Sequence, residues 1–167
     1  MRLGVIGSGG ALDAATAEAA RRVGVAMAGR GAVLVCGGLG GVMEAAAEGA
    51  AVAGGTVLGI LPGTSPESAA RGVSIPLPTG LGEARNVLVV RCSEAVIAIA
   101  GGYGTLSEAA FCLKLGVPLL GLHDRLPAEL PIERLDDPEA AVERALRLAE
   151  QRRRGHAGAT RAAGGVR

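Results

Sequence analysis

The segment AVIAIAGGYGTLSEAAFCLK, residues 95–114, joins a run of small and β-branched residues to a helical stretch through a glycine-rich turn. The apolar run predicts a buried strand over 95–102, and the residues that follow predict a helix over 105–115. The segment also contains the chain's only tyrosine and its only phenylalanine. A strand, a glycine turn and a helix in succession are typical of the units that build a parallel sheet.

The same alternation of short β-branched runs and longer helical stretches extends along the chain. It predicts strands over 3–7, 32–38, 56–63 and 117–122, and helices over 13–31, 41–55, 83–95 and 137–151. A stretch rich in proline, glycine and serine, ending at about residue 81, is expected to be irregular. We therefore expect an α/β fold with a central parallel sheet flanked by helices, in a single domain over residues 1–151.

Charge is distributed unevenly along the 167 residues. The net charge is +1, but residues 151–167 carry five arginines and no acid, so the preceding 150 residues sum to −4. An acidic body is a poor match for nucleic acid, so we expect no nucleic-acid partner. Residues 152–167 are expected to form a basic, flexible tail.

Three scattered cysteines, Cys36, Cys92 and Cys112, lack the CxxC spacing of a redox or metal motif. We expect reduced thiols in a cytoplasmic protein, and no metal site, because the two histidines complete no ligand cluster. No apolar run reaches the roughly eighteen residues of a membrane span, so no membrane partner is expected.

Glycine-rich turns follow three of the predicted strands at the points where helices begin. Because the carboxyl ends of parallel strands share one edge of the sheet, these turns should converge there. Helix N-termini expose unpaired N–H groups and glycine lets a ligand approach the backbone, so we expect the turns to bind a phosphate. The predicted phosphate- or nucleotide-binding residues are Gly7, Ser8, Gly9, Gly37, Gly38, Gly40, Gly101, Gly102, Tyr103, Gly104 and Thr105.

The turns also allow other interpretations. Thr105 to Glu108 fits an S/T-x-x-E capping box, in which the Glu108 carboxylate accepts from a backbone N–H. The first turn has Leu12 where the GxGxxG dinucleotide motif has its third glycine, and the chain contains no GxxxxGK[ST] motif. The sequence therefore supports neither a dinucleotide site of the usual kind nor a Walker-type nucleotidase.

Three motifs resemble those of the LOG-like family, long labelled "possible lysine decarboxylase", whose signature is PGGxGTxxE. They are GGYGTLSE (101–108), GEARN (82–86) and GGLGGVME (37–44). The branch that looks most similar contains the molybdenum cofactor carrier proteins. The resemblance implies a Rossmann-like three-layer fold, a homodimer and a phosphorylated, nucleotide-like ligand. It places the family's catalytic arginine and glutamate at Arg85 and Glu108, and we expect Asn86 to hydrogen-bond the ligand.

Two functions stay open on this resemblance. Characterised LOG enzymes hydrolyse the N-glycosidic bond of cytokinin riboside 5′-monophosphates, whereas the carrier branch binds a phosphate-bearing pterin cofactor. The chain has Ala100 at the signature proline, and GEARN where the enzymes have MHxRK. We expect a phosphoribohydrolase acting on nucleoside 5′-monophosphates or, alternatively, a non-catalytic carrier of molybdenum cofactor or a nucleotide.

The residues of the chain do not support the lysine decarboxylase label. Such an enzyme needs a lysine that forms a Schiff base with pyridoxal phosphate, and the chain's only lysine is Lys114. Lys114 follows Glu108 by six residues, about 240° around a helix, so it should point away from the turn. We expect no resident cofactor.

Overall fold

The computed structural model describes the backbone of residues 1–163 and the side chains of residues 1–155. The strands are β1 (Arg2–Gly7), β2 (Val33–Cys36), β3 (Val57–Leu61), β4 (Ile75–Pro78), β5 (Ala95–Ala100), β6 (Leu119–Asp124) and β7 (Glu133–Leu135). The helices are α1 (Ala14–Gly29), α2 (Val42–Val52), α3 (Asn86–Cys92), α4 (Tyr103–Leu115) and α5 (Pro138–Ala163). Short 3₁₀ turns at Pro66–Ser68 and Gly82–Arg85 precede β4 and α3.

The strands form one parallel sheet in the order β4-β3-β2-β1-β5-β6-β7. The order reverses at β1, which pairs with β2 on one side and with β5 on the other, from Leu3↔Ala95 to Gly7↔Ile99. In open α/β sheets, ligands bind at the carboxyl ends of the strands beside such a reversal. The sheet and its helices confirm the predicted Rossmann-like three-layer fold.

Two aliphatic clusters cover the two faces of the sheet. Val5 belongs to the cluster formed with α1, α2 and α5, and its neighbour Ile6 belongs to the cluster formed with α3 and α4. This alternation follows from the period of two along a strand. Both faces of the central strands are therefore buried, which leaves only their ends accessible to a ligand.

Two glycines let α1 and α2 pack closely. A Cβ at Gly24 would overlap the Ala46 carbonyl, and a Cβ at Gly49 would overlap the Arg21 carbonyl. Backbone atoms cannot move aside as a flexible side chain would, so both glycines are required for this packing. The contact fixes the position of α2, whose first turn borders the site described below.

The sheet contains two edge strands that the sequence pattern does not predict. β4 lies in the stretch expected to be irregular, because Pro76 and Pro78 interrupt its apolar alternation. Proline is tolerated in an edge strand, where one side of the backbone has no partner. β7 is only three residues long and lies at the opposite edge.

Several helix boundaries also differ from prediction. The helix expected over 83–95 divides into the 3₁₀ turn Gly82–Arg85 and α3, and α4 begins at Tyr103 rather than at 105. α5 continues to Ala163, so the prediction that this helix ends at 151 is wrong. Residues 164–167 lie outside the described part, and the flexibility of the tail stays a prediction. Within the described residues, no helix is both long and apolar enough to cross a bilayer.

Candidate functional site

A cleft of about 270 Å³ opens at the carboxyl ends of the central strands. Its walls come from the turns after β1, β2 and β5, the first turn of α2 and the segment that leads into α3. The lining residues are Gly7, Ser8, Gly9, Leu39, Met43, Glu83, Arg85, Asn86, Gly102, Gly104, Thr105 and Glu108.

The turn after β5 presents the N-terminus of α4 to the cleft. Gly101 turns the chain with a φ of 126°, and α4 begins two residues later. The first N–H groups of a helix have no partner within the helix, so those of Tyr103, Gly104 and Thr105 are available to an anion. A Cβ added at Gly102 or Gly104 would meet no atom within 4 Å, so nothing in the described structure blocks approach.

The predicted capping box between Thr105 and Glu108 is wrong. Because α4 begins at Tyr103, Thr105 is already the third helical residue and Glu108 lies in the second turn. The Thr105 hydroxyl instead accepts from the Gly102 N–H at 3.5 Å. The Glu108 carboxylate is therefore left to line the cleft rather than to cap the helix.

Arg85 and Glu108 face each other across the cleft floor. Arg85 Nη1 lies 3.6 Å from Glu108 Oε1, and each residue is 6% exposed. Nε and Nη1 of Arg85 are buried without a hydrogen-bond partner. A buried guanidinium with unused donors is costly unless an acceptor reaches it, so the site favours an anionic ligand.

Burial controls the protonation of Glu108. It raises the pKa of Glu108 to about 7, while the nearby Arg85 charge lowers the pKa and the Glu83 charge raises it. The desolvation effect outweighs the arginine because the pair is long and makes no hydrogen bond. Glu108 therefore exchanges a proton near neutral pH, as an acid–base group must.

The cysteines near Glu108 lack nucleophilic character. Burial raises the pKa of Cys36 to about 11 and that of Cys112 to about 12. Both remain thiols at neutral pH, and the thiolate is the reactive form. Within the described residues, no group of three or more histidine, cysteine or acidic side chains is arranged to hold a metal.

The sequence profile of the SLOG cluster4 family matches residues 1–151. The chain belongs to this family. It is 44% identical over 142 residues to an uncharacterized protein of Archaeoglobus fulgidus, with 85% of this chain and 92% of the other covered.

Two solved structures are similar to this SLOG cluster4 protein over almost their whole length. The molybdenum cofactor binding protein of Rippkaea orientalis has a TM-score of 0.80 and 37% identity, covering 85% of this chain and 93% of that one. The molybdenum cofactor carrier protein of Chlamydomonas reinhardtii has a TM-score of 0.78 and 34% identity, covering 88% and 97%. These similarities confirm the predicted LOG-like family near the molybdenum cofactor carrier branch.

The structure brings most of the predicted site residues of this SLOG cluster4 protein together. Nine of the cleft's lining residues were predicted: Gly7, Ser8, Gly9, Arg85, Asn86, Gly102, Gly104, Thr105 and Glu108. Asn86 is buried at 4% exposure beside Arg85. The turns after β1 and β5 and the segment before α3 thus form one site, as predicted from the sheet topology.

Other predicted residues lie outside the cleft lining. Gly37 lies behind Arg85, since a Cβ at position 37 would overlap the guanidinium. Gly38 has a φ of 71° and packs against Leu61, while Gly40 packs against Gly9. Tyr103 is 93% exposed. Gly101 lines a separate small cavity.

The cleft also contains two apolar residues that were not predicted to bind the ligand. Leu39 lies within the second glycine turn, and Met43 lies in the first turn of α2, where it is 7% exposed and also belongs to the core. The feature of the sequence that could have identified both residues is their position in or next to a glycine turn. Lys114 is exposed and absent from the cleft lining, which agrees with the rejection of pyridoxal phosphate chemistry.

Proposed function

We propose that this protein binds the molybdenum cofactor or a closely related phosphorylated ligand. The observation that carries the proposal is buried Arg85, two of whose nitrogens have no hydrogen-bond partner, beside the open N-terminus of α4. Both features favour one anionic group, and a phosphate satisfies both. Two similar structures belong to proteins described as binding or carrying the molybdenum cofactor, which supports this choice of ligand.

One part of the cleft suits an anion, and the other part combines apolar surface with hydrogen-bonding groups. The phosphate is placed against the backbone of Gly102, Gly104 and Thr105, within reach of Arg85. Leu39 and Met43 offer apolar surface for a flat heterocycle, and Asn86 offers hydrogen bonds. Ligand sites commonly combine apolar surface with a few polar groups that fix orientation.

A retention assay tests this proposal. The protein is mixed with isolated molybdenum cofactor and passed over a desalting column, and the retained pterin is measured by fluorescence after oxidation. Wild type is expected to retain cofactor in proportion to protein, and Arg85→Ala to lose at least about tenfold in affinity, because a charge-assisted hydrogen bond is removed. The exposed Arg91→Ala variant is the matched control. Loss of cofactor from wild type contradicts the proposal.

We propose hydrolysis of nucleoside 5′-monophosphates as a second candidate function. The observation that favours it is Glu108, whose pKa is raised to about 7 beside Arg85 in the cleft. With the phosphate anchored at α4, the bond between the ribose C1′ and the base nitrogen breaks, and water adds to C1′. Glu108 would stabilise the positive charge that develops on the sugar, take the proton that the attacking water loses and pass that proton to the departing base nitrogen, so that the products are neutral base and ribose 5-phosphate.

Incubation with AMP separates the two functions. A hydrolase releases adenine and ribose 5-phosphate, which chromatography detects. The Glu108→Gln variant is expected to release no adenine but still to bind AMP. A binding protein yields no free adenine above the protein-free control. Release that is unchanged in Glu108→Gln excludes Glu108 from the mechanism.

We further propose a homodimer in the cytoplasm, on the basis of the family resemblance. Sedimentation is expected to give twice the 16.5 kDa mass of one chain. A monomer at every concentration tested contradicts the dimer.

A further inference from the structure

The charges that line the cleft do not match those of its proposed ligand. In the described part of the chain, the lining includes one cation, Arg85, and two carboxylates, Glu83 and Glu108. With all three groups ionised, the walls carry one negative charge in excess. A phosphate monoester brings about 1.5 to 2 further negative charges at neutral pH. A single guanidinium and the N-terminus of α4 do not compensate all of them, so we expect one carboxylate to lose its charge when the ligand binds.

Burial determines which carboxylate becomes neutral. Glu83 is exposed, so water stabilises its charge whether or not a ligand is bound. Glu108 is 6% exposed, and its ion pair with Arg85 is long, at 3.6 Å. No described residue donates a hydrogen bond to the Glu108 carboxylate. A buried carboxylate with one long ion pair is the more easily neutralised of the two.

The groups that face Glu108 favour its neutral form once an anion is bound. Arg85 and Glu83 approach from the 3₁₀ turn, Cys36 from the end of β2 and Cys112 from α4 itself. Both cysteines are thiols at neutral pH, because burial raises their pKa values to about 11 and about 12. Burial also raises the pKa of Glu108 to about 7, while Arg85 lowers that pKa and Glu83 raises it. A dianion bound to Arg85 opposes the charge that stabilises ionised Glu108, so it raises the pKa of Glu108 further.

The position of Glu108 on α4 lets a neutral carboxyl group contact the anion. Thr105 and Glu108 are three residues apart on one face of the helix, and both line the cleft. Side chains of a helix lean toward its N-terminus, which is the end where the phosphate is placed. An ionised carboxylate only accepts hydrogen bonds, whereas a protonated one has an O–H that donates to a phosphoryl oxygen. Protonation therefore turns a repulsive contact into an attractive one.

We propose that Glu108 is a phosphate-binding residue in its protonated form, so that the cleft takes up one proton from solvent with each dianionic ligand. The proton adds to the Glu108 carboxylate, the new O–H donates to the bound phosphoryl group, and no other bond changes. The ligand is then held most tightly below the pH at which free Glu108 ionises. The inference rests on the proposed binding function alone, because a neutral carboxyl group cannot accept a proton from the water that a hydrolase activates.

Calorimetric titration with sulfate at fixed ionic strength tests the uptake of a proton. Sulfate stays a dianion between pH 5.5 and pH 8, so the ligand itself does not titrate. Wild type is expected to bind sulfate about tenfold more tightly at pH 5.5, because only about one-tenth of free Glu108 is protonated at pH 8. Titration at pH 8 in buffers with different ionisation enthalpies should show the uptake of about one proton for each sulfate bound.

Two variants identify the group that takes up the proton. Glu108→Gln keeps the size of the side chain but cannot titrate, so it should bind sulfate equally at both pH values and take up no proton. Glu83→Gln removes the other carboxylate of the cleft and should retain both the change in affinity and the proton uptake.

The remaining outcomes contradict the inference. It fails if wild type binds sulfate equally at both pH values, if Glu108→Gln retains the proton uptake, or if Glu83→Gln abolishes it; sulfate binding then leaves the proposed function standing. If sulfate binds at neither pH, the inference fails as well, and the cofactor retention assay judges the proposed function separately.

Discussion

The guanidinium of Arg85 lies against the backbone of Gly37, in space that the Cβ of any other residue would occupy. Gly37 ends no helix and lines no part of the cleft, yet it determines whether Arg85 can be buried there. A glycine at the end of β2 is thus required for the charge of the site, rather than for direct contact with a phosphate as the sequence suggested.

Gly37→Ala is expected to weaken anion binding by about tenfold, since displacing Arg85 removes a charge-assisted hydrogen bond worth about 1.5–3 kcal/mol. Titration with inorganic phosphate measures the change. Gly29→Ala is the control, because a Cβ at Gly29 meets no atom within 4 Å and the residue is exposed. Equal phosphate affinity in both variants shows that Gly37 does not position Arg85.

The Glu108 carboxyl group makes stability depend on pH. Its folded pKa of about 7 lies above the ordinary value of 4.5, so the folded state binds the proton more tightly. The resulting stabilisation is complete below about pH 4.5 and is lost as pH rises to about 7. The difference between the two pKa values corresponds to about 3 kcal/mol of unfolding free energy.

Urea unfolding at pH 5 and pH 8 tests this dependence. Relative to Glu108→Gln, which cannot titrate, wild type should lose about 2–3 kcal/mol of unfolding free energy between the two pH values. Parallel pH profiles of the two proteins contradict a raised pKa.

The backbone at Ala100 is incompatible with the proline that the family signature has at this position. Its φ of 51° cannot be reached by proline, whose ring fixes φ near −65°. Ala100→Pro is expected to destabilise the fold by about 3 kcal/mol. Ala100→Gly should change stability by less than about 1 kcal/mol, because relief of backbone strain offsets the entropy of glycine. Thermal unfolding compares the stability of the two variants with that of wild type. An Ala100→Pro variant as stable as wild type contradicts the positive φ at this turn.

Gly24→Ala tests the packing of α1 on α2. Alanine in a helix interior normally stabilises by about 1 kcal/mol relative to glycine. Here the added Cβ would overlap the Ala46 carbonyl, so we expect a loss of about 3 kcal/mol instead. Denaturant unfolding shows whether the substitution raises or lowers the free energy of unfolding, and Gly29→Ala in the same helix is the control. A stabilised Gly24→Ala variant contradicts the close approach of the helices.

The sequence predicted the central sheet well because β1, β2, β3, β5 and β6 are apolar runs bounded by glycine. It missed β4, where alternating prolines mimic a loop, and β7, whose Glu-Arg-Leu carries no apolar pattern. Edge strands form through pairing with a neighbour that is distant in sequence, and a local pattern does not contain that information.

The candidate site, too, could be predicted from the sequence only in part. Arg85 and Glu108 could be singled out because motifs surround them, and strand order brings their segments together. The burial of Arg85 depends on Gly37, almost fifty residues earlier in the chain, and the path of the backbone into the turn after β5 depends on a register shift between β5 and β6 at Ala100. Neither relationship can be derived from spacing, because both arise from contacts between segments that are distant in the chain.

A crystal structure with inorganic phosphate bound would test the central claim most directly. The account predicts phosphate at the N–H groups of Tyr103, Gly104 and Thr105, within hydrogen-bond reach of Arg85. Phosphate bound instead in the cavity of about 450 Å³ that Arg21 and Arg71 line, with none at the N-terminus of α4, would contradict it.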